Sequence, residues 1–146
     1  AGRMAMQERA RKKVKKGAKS DLFKIMKKRG RDRLTSSIWE RAVRADDKLA
    51  KQLLDEAAEA IGTGIGAAVN LLDVETVVLG GGLGIRLGPL YGKKIEKAMG
   101  KSLFQPNNPP NFRLAELGDL GGAIGAALRG PGAPIPVSET GTKAVG

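Results

Sequence analysis

Neither cysteine nor histidine occurs among the 146 residues. Their absence excludes disulfides, Cys/His zinc centres, thiol nucleophiles and Ser-His or Cys-His relays. Aromatics are nearly missing too, with three Phe, one Trp and one Tyr, so the core must be aliphatic and closely packed. No apolar run approaches the roughly 18 to 20 residues that cross a bilayer, and the N-terminus is a charged helix without a signal-peptide pattern. These features predict a soluble, cytoplasmic protein with no membrane partner. Acidic residues are scarce only in one place. Residues 1–51 hold 18 Lys/Arg against 6 Asp/Glu, net +12, whereas 52–146 hold 8 against 9, net −1.

What is abundant is glycine, 21 in all, and three of them stand together. Gly80-Gly81-Gly82 follows the apolar run Val77-Val78-Leu79 and precedes Leu83-Gly84. A buried strand running into a turn without Cβ atoms lets a ligand or a neighbouring helix approach the backbone closely. Without further context, the bland alternative is a tight strand-to-helix turn that binds nothing.

Around this turn the periodicity is helical on the N-terminal side. Met6, Ala10 and Val14 recur every four positions and predict a helix from Arg3 to Lys16, ended by Gly17. Ser20-Asp21 caps a second helix over Leu22–Arg29, and Thr35-Ser36-Ser37 caps a third whose apolar face is Ile38, Trp39, Ala42 and Val43. A long helix over 47–72 follows, with Leu49, Leu53, Ala57, Ala60, Gly64, Ala67, Ala68 and Leu71 on its apolar face. Gly62 and Gly66 share a face with Ala58, a smooth strip for another backbone. That reading is preferred to a phosphate-cradling loop because no strand precedes Gly62-Thr63-Gly64-Ile65-Gly66. Asn70 and Asp73 are expected to form the C-cap of this helix and the turn after it.

Thr76–Leu79 is too short and too β-branched for a helix and reads as a buried strand. Pro89 suits the first turn of a helix to Met99, with Leu90, Ile95 and Met99 inward and Lys93, Lys94 and Lys97 outward. Phe112–Leu117 alternates as a second strand, and Gly121–Leu128 reads as a buried helix. The order strand, helix, strand, helix implies a parallel pair in an α/β lobe. The expected division is a basic helical segment over 1–46, an α/β nucleotide-binding lobe over 47–129 and a flexible tail over 130–146.

The stretch NLLDVETVVLGGGLGIRLGPLY (70–91) followed by RLAELGDLGGAIGAAL (113–128) resembles the carboxy-terminal half of the ROK family of repressors, open reading frames and kinases. DLFKIMKKRGRDRLTSSIWERAV (21–43) is similar to the helical insert of its actinobacterial glucokinase branch. The resemblance spans residues 1–129. It implies the C-terminal lobe of an actin/hexokinase-like (RNase H-like) fold, in which ATP lies between two lobes and gives its phosphate to a sugar hydroxyl. It also implies that Val78, Leu79, Gly80, Gly81, Gly82 and Leu83 contact the adenosine of an adenine nucleotide, with magnesium accompanying ATP in the whole kinase. Polyphosphate, a donor for some similar glucokinases, has only the Arg9–Lys19 basic run in its favour.

The departures are equally informative. The family's Asp-x-Gly-x-Thr phosphate loop, its Asn-Asp catalytic pair, its Glu-x-Gly-His sugar motif and its zinc cysteines have no counterpart here. Ala1-Gly2-Arg3 resembles the family just past the cysteine loop, so the sugar would be held only by a lobe this chain lacks. Without that lobe's base the isolated chain is expected to be inactive. Asp119, in Gly-Asp-Leu-Gly-Gly, is read as a helix N-cap. Self-association into a homo-oligomer would cover apolar surface left open. The alternative function is a regulatory or nucleic-acid-binding ROK-like module using the basic helices. Their charges surround the helix without interleaved aromatics, and no recognition helix follows, so nucleic acid is the less favoured partner.

Overall fold

The computed structural model describes residues 2–118 and 121–129. Elements follow in the order α1 (Arg3–Lys15), α2 (Leu22–Lys28), α3 (Ser36–Arg44), α4 (Lys48–Leu72), β1 (Thr76–Leu79), α5 (Gly82–Gly100), β2 (Asn111–Leu114) and α6 (Gly121–Leu128). The expected tail over 130–146 and the cap at Asp119 lie outside the described residues.

Stop signals in the sequence act where left-handed backbone is needed. Gly17 takes φ +96° after α1 and Gly30 φ +58° after α2, a region glycine enters without a Cβ penalty. Asp47 is the true capping residue of the helical half. Its Oδ1 accepts the Ala50 N–H at 2.9 Å, while Oδ2 accepts both the Ser20 hydroxyl and the Asp21 N–H at 2.7 Å. One carboxylate therefore starts α4 and fastens the α1–α2 loop to it. Of the expected Ser20-Asp21 cap of α2, Asp21 makes no side-chain cap bond, but the Ser20 hydroxyl accepts the Leu22 N–H at 3.2 Å.

The helices of residues 1–46 share one core with α4 and α5. Met6 and Ala10 of α1, Leu22, Ile38, Trp39, Leu53, Tyr91 and Ile95 belong to a single buried cluster. Gly62 and Gly66 make the α4–α5 contact possible. A Cβ on Gly62 would stand 2.5 Å from both the Ala98 Cβ and the Ile95 carbonyl oxygen, and one on Gly66 would stand 2.7 Å from the Ser102 Cβ. The smooth strip expected from their spacing is thus occupied by the backbone of α5. Gly64 faces open space.

The second half of α4 departs from the expected face. Ala60, Gly64, Ala67, Ala68 and Leu71 are exposed, and burial passes instead through Ala58, Gly62, Gly66 and Val69. Close backbone approach pulls the small-residue strip inward, and the larger apolar side chains rotate out. Asn70 does not cap the helix; its Nδ2 donates to the Ser102 carbonyl at 2.7 Å and its Oδ1 accepts the Phe104 N–H at 2.9 Å, stapling the chain after α5. Asp73 is the C-cap, in the left-handed region at φ 49°.

β1 and β2 pair in parallel, with Thr76 opposite Asn111 and Leu79 opposite Leu114. β2 is shorter than the expected 112–117, because the pairing ends at Leu114 and the chain turns. Val77, Leu79, Phe112 and Leu114 are half-buried, and Gly92 of α5 leaves room for Phe112 and Leu114. Val78 on the other face is 61% exposed, so β1 is buried on one side only, contrary to the expected buried strand. α6 is exposed from Gly122 onward and buries none of its residues, contrary to the burial its apolar composition predicts. Leu90, expected inward, is 78% exposed, and Tyr91, Ile95, Ala98 and Met99 carry the buried face of α5.

α5 is longer than the helix predicted from Pro89. A first segment begins at Gly82, and Gly88, at φ 66° and ψ −158°, breaks the axis just before Pro89. Proline lacks the N–H that a continuous helix would need there. Tyr91, just beyond the break, is buried with its hydroxyl unpaired among the described residues. Burial, and secondarily the Asp55 carboxylate, push its pKa up to about 12. The unfolded chain releases this proton at about pH 10. Stability from the neutral phenol is therefore complete below that pH and is lost as pH rises through about 12. As the chain has one tyrosine, absorbance at 295 nm is expected to titrate near pH 12 when folded and near 10 in urea. A native midpoint near 10 would contradict the burial of this hydroxyl.

Candidate functional site

The predicted residues Val78 to Leu83 lie together at the carboxyl ends of the two parallel strands, the end at which open α/β sheets bind ligands. The Leu79 carbonyl accepts the Ala115 N–H at 2.9 Å. A Cβ on Gly80 would lie 3.6 Å from the Ala115 Cβ, so the turns after β1 and β2 run side by side. Leu79 turns inward against Gly84, where a Cβ would come within 3.3 Å of its Cγ. Val78 faces outward, away from the α5 layer.

Gly81 is the pivot. It is the N-cap of α5 with φ 89° and ψ 153°, without a side chain to supply a cap. Residues with a Cβ are strained at that φ. The first turn closes through the Ile85 N–H on the Gly81 carbonyl at 3.1 Å. The preceding amides of Gly82, Leu83 and Gly84 have no acceptor within the helix, as at any helix start. Backbone donors thus point out of a turn that carries almost no side-chain bulk.

Beside Gly82 the fold brings in residues that sequence reasoning did not assign to a site. A cavity of about 290 Å³ is lined by Gly82, Arg3 of α1, Thr35, Ser36 and Ser37 at the start of α3, and Arg86 of α5. Ser36 is the one buried polar residue among those described. Thr35 and Ser37 bond each other through their hydroxyls at 3.0 Å, and the N-cap Thr35 makes no side-chain cap bond. The N-cap Thr35 therefore does not cap α3 through its side chain as expected, and the triplet stands at the edge of the cavity. Arg86 is held by Glu40, Nη1 to Oε2 3.8 Å, while Glu40 also pairs with Arg44 at 2.9 Å.

Two arginines and three hydroxyl-bearing residues beside a turn without side-chain bulk suit a polar, electron-rich ligand. A signal for Arg86 was present, since it falls four residues after Gly82 and so shares its helical face. No local signal connects Arg3 or Ser36 with Gly82. No three His, Cys, Asp or Glu side chains cluster to hold a metal among the described residues.

The chain matches the model of the ROK family over residues 4–129. It is 33% identical over 100 residues to the N-acetylgalactosamine kinase AgaK of Shewanella sp. (strain ANA-3), covering 68% of this chain and 32% of that protein. Its fold is similar to that of a ROK hexokinase from Thermus thermophilus, with a TM-score of 0.62 and 26% identity over 88% of this chain and 38% of the other. It also superposes on a protein of Cytophaga hutchinsonii proposed to be a sugar kinase, with a TM-score of 0.67, 21% identity, and coverage of 84% and 39%. The chain spans about a third of the length of these relatives.

Proposed function

Because the chain belongs to the ROK family, we propose that it is the nucleotide-binding lobe of a sugar kinase, taking the adenosine of ATP at the turn Val78 to Leu83. The observation that carries this reading is the left-handed Gly81 at the strand end, opening on a polar cavity that Gly82 shares with Ser36 and Arg86. The lobe's own work is binding and orientation. The glycine turn offers flat backbone to the nucleoside, and the α5 amides and guanidiniums offer donors to its polar edges and charged end.

Transfer of the phosphoryl group requires in addition a base at the acceptor hydroxyl. No segment of this chain matches the family's Asn-Asp pair, and the sugar would contact the other lobe. The isolated chain is therefore inactive as a kinase in this reading. Glucose is the acceptor suggested by the insert over 21–43, whereas the relatives act by name on hexose or N-acetylgalactosamine. ATP is preferred to polyphosphate as donor, since Arg9 and Lys13 of the basic run already face Glu56 at 3.5 and 3.3 Å.

Calorimetric titration of the chain with ATP, ADP and inorganic triphosphate tests the assignment. Saturable binding of ATP and ADP but not triphosphate is expected. Gly81→Val, which forces a β-branched residue into left-handed backbone, should weaken nucleotide binding at least about tenfold, and Arg86→Gln should weaken it several-fold. Wild-type nucleotide affinity in Gly81→Val, or no nucleotide binding by the folded parent chain, would overturn the assignment.

A further inference from the structure

The first segment of α5, residues 82–87, begins at the glycine turn and carries Arg86, yet the helix itself does not fix its direction. Gly88 interrupts the helix at φ 66° and ψ −158°, in a backbone region essentially reserved for glycine. Beyond the break, Tyr91, Ile95, Ala98 and Met99 bury the second segment, and Gly62 and Gly66 let it lie close on α4. The first segment has less to hold it. Leu83 and Leu87 are only partly buried against the core, and apolar contact is non-directional. It does not set where a guanidinium points.

Among the described residues, one polar side-chain contact joins this segment to another element. Arg86 Nη1 stands 3.8 Å from Oε2 of Glu40 on α3, while Oε1 of the same carboxylate holds Arg44 Nη2 at 2.9 Å. Glu40 is thus anchored on its own helix, at the i,i+4 spacing, and presents its other oxygen to Arg86. Its side chain is 22% exposed, the most sheltered acid among the described ion pairs. An acid in this place needs a reason. Arg86 lines the cavity at Gly82, where a nucleotide brings anionic phosphates that a nearby carboxylate repels. Orienting the guanidinium beforehand offsets that repulsion, because a long side chain already held loses less freedom when the ligand arrives.

We propose that Glu40 is a positioning residue of the nucleotide site, acting through Arg86 and not on the ligand itself. The proposal rests on the reading that this site takes a nucleotide. Arg44, Glu40 and Arg86 form a chain that ties the first segment of α5 to α3, so the helical half sets the direction of a side chain beside the glycine turn.

Calorimetric titration of the parent chain, Glu40→Gln, Arg86→Gln and the double variant with ADP tests this, with urea unfolding of each alongside. Removing a negative charge from an anion site would by electrostatics alone tighten binding. The positioning role requires instead that Glu40→Gln weaken ADP about threefold to fivefold, with little change in the urea midpoint because exposed ion pairs add little to folding. In the Arg86→Gln background the same change should alter the affinity by less than about 1.5-fold, since two residues acting through one contact are non-additive. Arg44→Gln, which breaks the i,i+4 pair and leaves Glu40 with Arg86, should stay within about twofold of the parent. An equal loss in Arg44→Gln would mean that Glu40 serves only its own helix. That result, unchanged or tighter binding by Glu40→Gln, or full additivity with Arg86→Gln would sink the proposal. The nucleotide reading survives each of these if Arg86→Gln alone still weakens ADP, whereas a folded parent that binds no ADP ends both.

Discussion

Gly62→Ala is expected to lower the unfolding free energy by about 3 kcal/mol, the upper part of the usual range for overpacking. Alanine is the better helix former by about 1 kcal/mol, so on an exposed helix the same change would stabilise. At Gly62 the added carbon meets the Ala98 Cβ and the Ile95 carbonyl oxygen at 2.5 Å and the Met99 nitrogen at 2.8 Å. Two of these three are backbone atoms of α5, which cannot swing aside as a side-chain end would. Relief requires α5 to lift off α4, opening the contact that also buries Ile95 and Met99. Gly64→Ala, two residues away and facing open space, is the internal control and should gain up to about 1 kcal/mol. Urea unfolding followed by circular dichroism reads both. A Gly62→Ala protein as stable as its parent would mean that the two helices do not touch as described.

Trp39→Ala should cost about 3 to 5 kcal/mol, the usual loss for deleting a buried large aromatic. Trp39 is fully buried beside Ile38 and Ala42, and it is the largest side chain in a core with few aromatics to fill the space. Trp39→Phe should lose far less than this. The indole Nε1 has no partner among the described residues, so phenylalanine removes an unpaired donor worth about 1 to 3 kcal/mol along with the lost contact area. The two effects oppose, and a net change within about 1.5 kcal/mol is expected, as for other near-conservative core exchanges. A Trp39→Phe variant as unstable as Trp39→Ala would show that the indole nitrogen is satisfied.

Much of this architecture can be read from local pattern. The limits of α1 to α4, the strand at Thr76–Leu79, the parallel pairing and the close-contact strip at Gly62 and Gly66 all follow from periodicity, caps and glycine spacing. Burial is where local reading fails. Leu90, Val78 and α6 from Gly122 onward are apolar and exposed, because composition records what a residue could bury and not whether anything lies above it. The first segment of α5 was hidden by the proline after it, which masked a helix on its N-terminal side. Of the candidate site, the glycine turn is written in consecutive residues. Arg3, Ser36 and Arg86 come from three separate helices, and only the packing of α1 on α4 and of α3 on α5 makes them neighbours of Gly82.

The uneven charge of the chain bears on how fast a ligand arrives. Most of the helical half's cations stand in solvent, with Glu56 and a few other acids as their nearest counterparts. Ion pairs so exposed add little to folding, but their summed field extends about one Debye length, roughly 8 Å at physiological salt. An anionic molecule diffusing past is drawn toward this cationic half of the chain. The helical half thereby acts on encounter frequency, which salt suppresses steeply, while at the nucleotide site we propose residence time is left to short-range contacts.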